Sequence, residues 1–369
     1  MSERTVRLRV ARFGAVSFCT LFPLGKGVHA AQQPGLQHGT NLLPAAAESW
    51  VAQSFYLERI RLFCDNRKKR GCRIYFWGCR RDFYRERNRI MNSPSEIARI
   101  YVDVGFGKAR LPRWKMFVLG IFAGAFIAFG AAGSSIASCG VQPAALGRVL
   151  SALVFPIGLM LVLCAGGELF TGNSLLLVPL IEKRITVSWM LSNWITVYLG
   201  NFVGSLLVSL AVVGSHTLGL YGGELAKLAV NTAVTKVSLP LSDVIIRGIL
   251  CNIMVCLAVW VGFAAKDLVS KIVALYLPVF LFVLCGFEHC IANMYFVPTG
   301  IFASYMYGIP FTPEVVRGTV TSLTGIPLES FAWLAFLFNN LVPATIGNII
   351  GGALAVGGGY WYVYLQDSN

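Results

Sequence analysis

The sequence predicts an all-α membrane protein with six transmembrane helices in two inverted three-helix repeats, in which helices two and five are broken. Three observations predict this fold: the composition, a series of long apolar segments and an internal repeat. Hydrophobic residues make up 56% of the chain and charged residues 13%, whereas about 25% of a soluble domain is charged. This composition leaves too few polar side chains to cover a soluble domain of this length.

The apolar segments follow one another with short breaks, and most are long enough to cross ~30 Å of hydrocarbon. The second and fifth are too long for one plain span, and each contains a glycine break, at Gly166-Gly167 and at Gly286. An amphiphilic connection, 214–242, separates the third segment from the fourth. The six predicted spans are approximately 114–137, 145–181, 187–213, 244–265, 270–307 and 331–364.

The two halves of this region repeat one another. Glu168 is followed five residues later by Asn173, and Glu288 is followed five residues later by Asn293. Further along, the pattern Gly-Asn-x-x-Gly that starts at Gly200 returns at Gly347, with Asn193 and Asn340 equally far upstream. Since each half has an odd number of spans, the two halves must be inserted with opposite topology.

Two broken helices at matching positions predict a pore. A break in hydrocarbon strands backbone N–H and C=O groups at several kcal/mol each, so it must be buried in protein or line a wet cavity. Inverted repeats place such breaks near the membrane midplane, where solutes bind. We expect Glu168 and Glu288 to cap the half-helices that follow, by accepting the freed backbone N–H groups.

His289 is the only histidine within the predicted spans. A histidine in a bilayer is costly and indicates a functional site, and its ordinary pKa allows it to exchange a proton near neutral pH. Asn252, on the fourth span, is a candidate hydrogen-bonding partner for the ring. The alternative role for Asn252 is a hydrogen bond that holds two helices together.

The basic charge belongs to the N-terminal region. Residues 1–90 hold 17 of the 31 lysines and arginines but only 6 of the 17 acidic residues. A basic tail can bind nucleic acid or anionic lipid, but on a membrane protein it favours a cytoplasmic N-terminus. We interpret residues 1–90 as a disordered or mis-assigned extension of a functional protein that begins near Met91, and 91–365 as the transmembrane domain. Residues 366–369 form a short tail, also cytoplasmic.

Three segments resemble the formate/nitrite transporter family, and the resemblance covers about residues 91–365. They are Cys251 to Trp260, Gly286 to Met294 and Pro343 to Gly352. The segment Glu168 to Asn173 is similar to the branch from protozoan parasites, which moves lactate and related acids together with protons. The resemblance implies a plasma-membrane homopentamer of aquaporin-like protomers, each carrying small monocarboxylates such as lactate, formate, pyruvate or acetate with a proton.

The resemblance also implies roles for individual residues. Glu168, Gly172 and Asn173 belong to the loop that breaks helix two, and Glu288 and Asn293 to the loop that breaks helix five. His289, with Thr171 and Asn252 as its hydrogen-bonding neighbours, would be the pore centre, and Lys108 and Lys236 would lie in the vestibules. The implied apolar constrictions are Phe155, Val255 and Phe282 on the outer side and Leu159, Val162 and Leu169 on the inner side.

Two other function classes remain open from the residues alone. A passive channel for small anions or for neutral solutes would suit two inverted halves equally well, although the sequence has no Asn-Pro-Ala pair of the aquaporin kind. An intramembrane enzyme would need a nucleophile or a metal set around His289, and the presence of one His and no Asp in the spans argues against it. We therefore expect no enzymatic activity, no cofactor, no metal and no nucleic-acid partner.

Overall fold

A computed structural model describes residues 91–312 and 332–366, and within these ranges the chain is almost wholly helical. The expectations for residues 1–90 and for the end of the tail lie outside the described residues. We number the principal helices α1 Pro94–Ala109, α2 Arg113–Ser138, α3 Ala144–Gly166, α4 Gly172–Ile181, α5 Val187–Gly214, α6 Glu224–Val237, α7 Leu241–Gly262, α8 Leu268–Cys285, α9 Cys290–Tyr307 and α10 Ala332–Tyr364.

Six of these helices are long and apolar enough to cross a membrane within the described part of the chain. They are α2, α3, α5, α7, α8 and α10, and each corresponds to one predicted span. The predicted breaks are present: α3 ends at Gly166 before the shorter α4, and α8 ends at Cys285, with Gly286 as its C-cap, before α9. Gly286 has φ +71°, which favours glycine at this helix end. The predicted fold class is confirmed.

Helix α1 begins with a capping box. The Ser93 side chain accepts from the backbone N–H of Glu96, and the Glu96 carboxylate accepts from the Ser93 N–H at 2.6 Å. Pro94 occupies the first turn, where its missing N–H costs nothing. Upstream of the cap, the backbone N–H of Asn92 donates to the Ala264 carbonyl at 2.9 Å, which ties the start of α1 to the end of α7.

The amphiphilic connection between the third and fourth spans, to which the sequence analysis assigned no helix, contains α6. Its buried residues, including Val230, Ala233, Val234 and Val237, recur at the three- and four-residue spacing of one helix face. That face packs on α9. Each half of the molecule therefore consists of an amphipathic helix followed by three membrane segments, α1–α5 and α6–α10.

Within each half, the first and last spans pack at very short range. Helix α2 packs along α5, and α7 packs along α10. A Cβ atom at Gly204 would overlap the backbone carbonyl of Ile121, and one at Gly351 would overlap that of Ile249. These glycines bring α5 and α10 close enough for their asparagine side chains to reach the backbone of the neighbouring breaks.

Candidate functional site: the paired helix breaks

The backbone groups freed by the first break are bound by one side chain, Asn201 on α5. Its Oδ1 accepts from the backbone N–H of Phe170 at 2.9 Å. Its Nδ2 donates to the carbonyls of Gly120 and Glu168 at 2.8 and 2.9 Å. The N–H of Glu168 donates to the carbonyl of Leu119 at 3.1 Å. These backbone groups are thus satisfied within the protein, as buried backbone requires.

The second break repeats this geometry through Asn348 on α10. Its Oδ1 accepts from the N–H of Cys290 at 2.9 Å, and its Nδ2 donates to the carbonyls of Gly248 and Glu288 at 2.8 and 3.0 Å. The N–H of Glu288 donates to the Arg247 carbonyl at 3.3 Å. The same contacts made by matching residues of both halves establish the inverted repeat at atomic scale.

The expectation that Glu168 and Glu288 cap the following half-helices by accepting backbone N–H groups is wrong. Within the described residues, each carboxylate binds side chains instead. Glu168 accepts from the Lys108 ammonium and from Asn173, both at 2.8 Å. Glu288 accepts from Lys236 at 2.9 Å and from Asn293 at 2.7 Å. The carboxylates turn to the lysines because the asparagines on α5 and α10 already satisfy the backbone.

Two further asparagines complete these clusters. Asn193 Oδ1 accepts from Asn173 at 2.9 Å, and Asn340 Oδ1 accepts from Asn293 at 2.7 Å. Each then donates through Nδ2 to the backbone carbonyl of its lysine, Lys108 or Lys236. Both carboxylates are buried, while the lysine side chains keep 22% and 16% of their surface exposed. Each half therefore presents one partly accessible ammonium held by a buried carboxylate.

The two breaks meet at Thr171 and His289. Thr171 Oγ1 lies 2.9 Å from His289 Nε2, and both residues are buried. His289 is also the N-cap of α9, since its Nδ1 accepts from the Ala292 N–H at 3.2 Å. A nitrogen that accepts carries no proton, so we assign the neutral tautomer with the proton on Nε2, which donates to Thr171. The Thr171 oxygen therefore accepts from His289, and its own hydroxyl hydrogen has no acceptor among the described residues. That hydrogen can be donated to a solute.

Asn252 does not bind the His289 ring, contrary to the expectation. Its Nδ2 donates to the carbonyl of Asn348 at 2.6 Å, and to the Thr171 carbonyl and the Ser174 hydroxyl at 3.2 Å each. The acceptors lie on α10 (Asn348), at the first break (Thr171) and on α4 (Ser174), so they hold the amide against the backbone of Thr171 and away from the imidazole. Its role as glue between helices, the alternative considered from the sequence, describes these contacts.

Apolar side chains surround the central pair. The six residues predicted as constrictions are all buried in one hydrophobic cluster: Phe155, Leu159, Val162, Leu169, Val255 and Phe282. The rings of Phe155 and Phe282 pack edge to face, with their centroids 5.7 Å apart. The centroid of the Phe282 ring lies 5.9 Å from that of the His289 imidazole. The two rings therefore lie beside the imidazole of His289.

A half-open cavity of about 920 Å³ leads to these rings from one side. We call it the Lys236 vestibule. Its wall includes Lys236, Glu288, His289, Phe155 and Phe282, whereas Val255 is not part of it. The structure thus gathers the second lysine, the second break and two of the three predicted outer constriction residues around one opening.

Four functional asparagines were left without a role by the sequence: Asn193, Asn201, Asn340 and Asn348. The signal was present, because each occupies a matching position in the repeat. The spacing between the halves was informative too. Lys108 and Lys236 are 236 − 108 = 128 residues apart, as are Gly120 and Gly248, so the repeat alone pairs the two lysines.

Comparisons with known proteins agree with this architecture. A family model described as formate/nitrite transporter matches residues 95–362. A probable formate transporter of Methanothermobacter thermautotrophicus is 36% identical over 296 residues, covering 74% of this chain and 98% of the relative. The formate channel FocA of Escherichia coli K12 is 36% identical over 281 residues, covering 75% and 95%. A solved pentameric formate channel with formate bound superposes with a TM-score of 0.58 at 36% identity, covering 69% of this chain and 98% of that one.

Proposed function

Because the chain belongs to the formate/nitrite transporter family, we propose that each protomer carries small monocarboxylate anions, formate above all, through a pore centred on Thr171 and His289. One observation carries the proposal: a buried hydroxyl–imidazole pair at 2.9 Å lies where the two helix breaks meet. The relatives named as formate channels and formate transporters support this substrate class. They favour simple anion passage over the proton-coupled lactate transport predicted from the sequence.

The lysine at each end of the path would attract the anion. Lys108 and Lys236 each keep part of their side chain exposed while their carboxylate partners are buried. An approaching anion therefore meets the ammonium first, and the buried glutamate holds that ammonium in place. Oriented charge of this kind raises the local concentration of anions at a mouth.

The centre would then supply a hydrogen bond to the solute. A carboxylate oxygen accepts hydrogen bonds only, so it needs a donor that is not already used. The Thr171 hydroxyl hydrogen meets this requirement, and His289 Nε2–H keeps the hydroxyl oriented. Small acids fit better than large ones because the path passes between the edge-to-face rings of Phe155 and Phe282.

Proton coupling is the second candidate, and the apolar lining favours it. Carrying a bare carboxylate past Phe155, Phe282 and Leu169 entails a large desolvation cost, which neutralisation largely removes. Because Nδ1 of His289 holds the Ala292 N–H, an additional proton on that nitrogen would break the cap. The proton would therefore come from bulk water, with His289 donating a hydrogen bond. Lactate would travel in the same way.

We place the protein in the plasma membrane as a homopentamer with both termini in the cytoplasm. The short, basic connections that contain Lys183-Arg184 and Lys266 lie on the side that this topology puts inside. The solved pentameric formate channel supports the assembly. Native mass spectrometry of the full chain checks the assembly directly: five copies of 40.2 kDa are expected, and a monomer that still transports would contradict it.

Uptake of labelled formate and lactate into proteoliposomes at two external pH values tests the function. We expect saturable formate uptake that Lys236→Ala reduces. Lys227→Ala is the matched control, because Lys227 lies on the same helix α6 but points away from the vestibule, paired with Glu224 at 2.7 Å. An equal loss of formate uptake in both variants would contradict a specific role for Lys236 in transport.

The same experiment separates the candidates by pH and voltage. Anion passage predicts formate flux that follows an imposed membrane potential. Coupled passage predicts flux that rises as external pH falls and acidifies the vesicle interior regardless of potential. A channel for neutral solutes predicts glycerol uptake without formate uptake, and that result would overturn the proposal.

A further inference from the structure

The Lys236 vestibule carries more positive charge than its lysine–glutamate pair accounts for. Arg148, on the first half of α3, and Arg247, on α7, line the same cavity. Glu288 is the only carboxylate among the lining residues that the structure describes, and Lys236 already neutralises it. Arg247 has a distant partner in Asp243, at 3.7 Å on its own helix. Arg148 therefore supplies the least compensated charge of the wall.

Arg148 lies against the second break. Its Nη1 is 2.9 Å from the point where a Cβ atom of Gly286 would stand, so the guanidinium covers the end of α8 two residues before Glu288. Throughout residues 91–312 and 332–366, Arg148 makes no hydrogen bond or ion pair. A guanidinium has five N–H donors and can bind a carboxylate with two parallel hydrogen bonds. Those donors are free at the entrance to the pore.

The repeat shows that the two arginines of the Lys236 vestibule have no basic counterpart at the matching positions of the other half. Glu168 and Glu288 are 288 − 168 = 120 residues apart, and the same offset pairs Arg148 with Leu268. Arg247 matches Leu119, because the N–H of Glu288 donates to the Arg247 carbonyl as the N–H of Glu168 donates to the Leu119 carbonyl. Where the second-break side has two arginines, the matching positions of the other side have two leucines. The lysines and glutamates, in contrast, are kept in both halves.

We propose that Arg148, supported by Arg247, forms an anion-capture site in the Lys236 vestibule that receives the carboxylate before it reaches Lys236. The site gives this mouth a higher affinity for small anions than the opposite mouth has. It rests on the proposed function for the identity of the anion. The electrostatic part of the inference stands on the structure alone.

Cys285 provides a probe of this charge that needs no transport. It is exposed and lines the same cavity. Its thiolate attacks the divalent sulfur of a methanethiosulfonate, the one that carries the charged group, and the S–SO2 bond breaks, so a mixed disulfide forms and methanesulfinate leaves. The ratio of the rates for a sulfonate-bearing and a trimethylammonium-bearing reagent reports the local potential, because both reagents attack the same thiolate. Mass spectrometry of the peptide that contains Cys285 gives both rates.

We expect Arg148→Gln to lower the ratio of the anionic to the cationic reagent's rate by roughly two- to ten-fold at low salt, because one positive charge close to the thiol is lost in a medium of high dielectric constant. The difference should shrink at high salt. Arg148→Lys should keep the ratio of the parent, and Lys227→Gln, an equal charge loss outside the cavity, should leave it unchanged. A ratio that is the same in Arg148→Gln and the parent would overturn the proposal.

Formate uptake then tests the capture step itself. Arg148→Gln should raise the half-saturating formate concentration at low salt by about the square root of that factor, roughly 1.4- to 3-fold, because a single anion feels half of the energy that the ratio reports. The maximal rate should be unchanged, and Arg148→Lys, which keeps the charge but not the paired hydrogen bonds, should restore most of the affinity. A reduced maximal rate at unaltered half-saturation would contradict capture. If the parent shows no saturable formate uptake, the proposed function fails, and the Cys285 ratio still decides whether Arg148 sets the vestibule potential.

Discussion

At the scale of single residues, two asparagines make the helix breaks possible. Asn201 and Asn348 each accept one backbone N–H and donate to two carbonyls, all of them in buried positions. An amide is the side chain that can do both, since it carries an acceptor oxygen and two donor hydrogens. Asp would lack the donors and would add a charge. The pore centre can therefore contain irregular backbone without stranded polar groups.

Replacing Asn201 by Ala should destabilise the protein strongly. The change strands the Phe170 N–H and the carbonyls of Gly120 and Glu168, and leaving buried polar groups unsatisfied costs about 1–3 kcal/mol each. Thermal unfolding in detergent measures the effect. Asn231→Ala is the control, because Asn231 is partly exposed in the vestibule wall and its side chain makes no hydrogen bond among the described residues. Equal midpoints for the two variants would contradict this account.

Single-residue roles were predicted unevenly from the sequence. His289 was identified because a histidine in a bilayer is conspicuous, and Thr171 because its motif resembles a family. The partners of Glu168 and Asn252 were missed because they come from other helices, and sequence spacing does not show which acceptor a side chain reaches first. Asn201 Oδ1 already accepts from the Phe170 N–H, which a capping glutamate would otherwise have bound.

At the scale of helices, small residues set the distance between the spans of each half. Helices α2 and α5 touch through Gly120 and Gly200, and α7 and α10 touch through Gly248 and Gly347, with backbone atoms about 3 Å from any added Cβ. Such close approach is typical of membrane helices, where packing has no hydrophobic effect to drive it. It also brings the asparagines of α5 and α10 within reach of the breaks.

Gly204→Ala and Gly351→Ala should therefore both lower the unfolding temperature. A methyl group at either position overlaps a backbone carbonyl, of Ile121 or Ile249, which cannot rotate away. Overpacking of this kind costs about 1–3 kcal/mol. Gly359→Ala, on α10 with open space around its Cβ position, should be neutral or stabilising by about 0.5–1 kcal/mol. If all three variants unfold alike, the contacts do not set the helix spacing.

Most helices were predictable because hydrophobic length alone defines a span. Helix α6 was not, since it is half polar and lies between two spans, where an amphiphilic segment reads equally well as a linker. The offset of 128 residues that pairs Lys236 with Lys108, on α1, would have predicted it. A repeat carries information about elements that composition alone cannot supply.

At the scale of the whole molecule, the two halves differ at the centre of the proposed pore. The residue after each glutamate is Leu169 in the first half and His289 in the second, and Gly124 stands where the other half has Asn252. The shared residues build two matching breaks, and the unshared ones give the path one polar centre among apolar walls. A perfectly symmetrical molecule would place either two histidines or none in the pore.

The measurement that tests this account most directly is formate flux through His289→Asn in proteoliposomes. Asn is a good N-cap, so the start of α9 is kept, but its shorter side chain cannot reach Thr171. The account predicts that formate flux falls at least about tenfold, as expected when a hydrogen-bonding centre worth roughly 1.4 kcal/mol or more is lost, while the unfolding temperature stays near that of the parent. Formate flux equal to that of the parent would contradict a pore centred on Thr171 and His289.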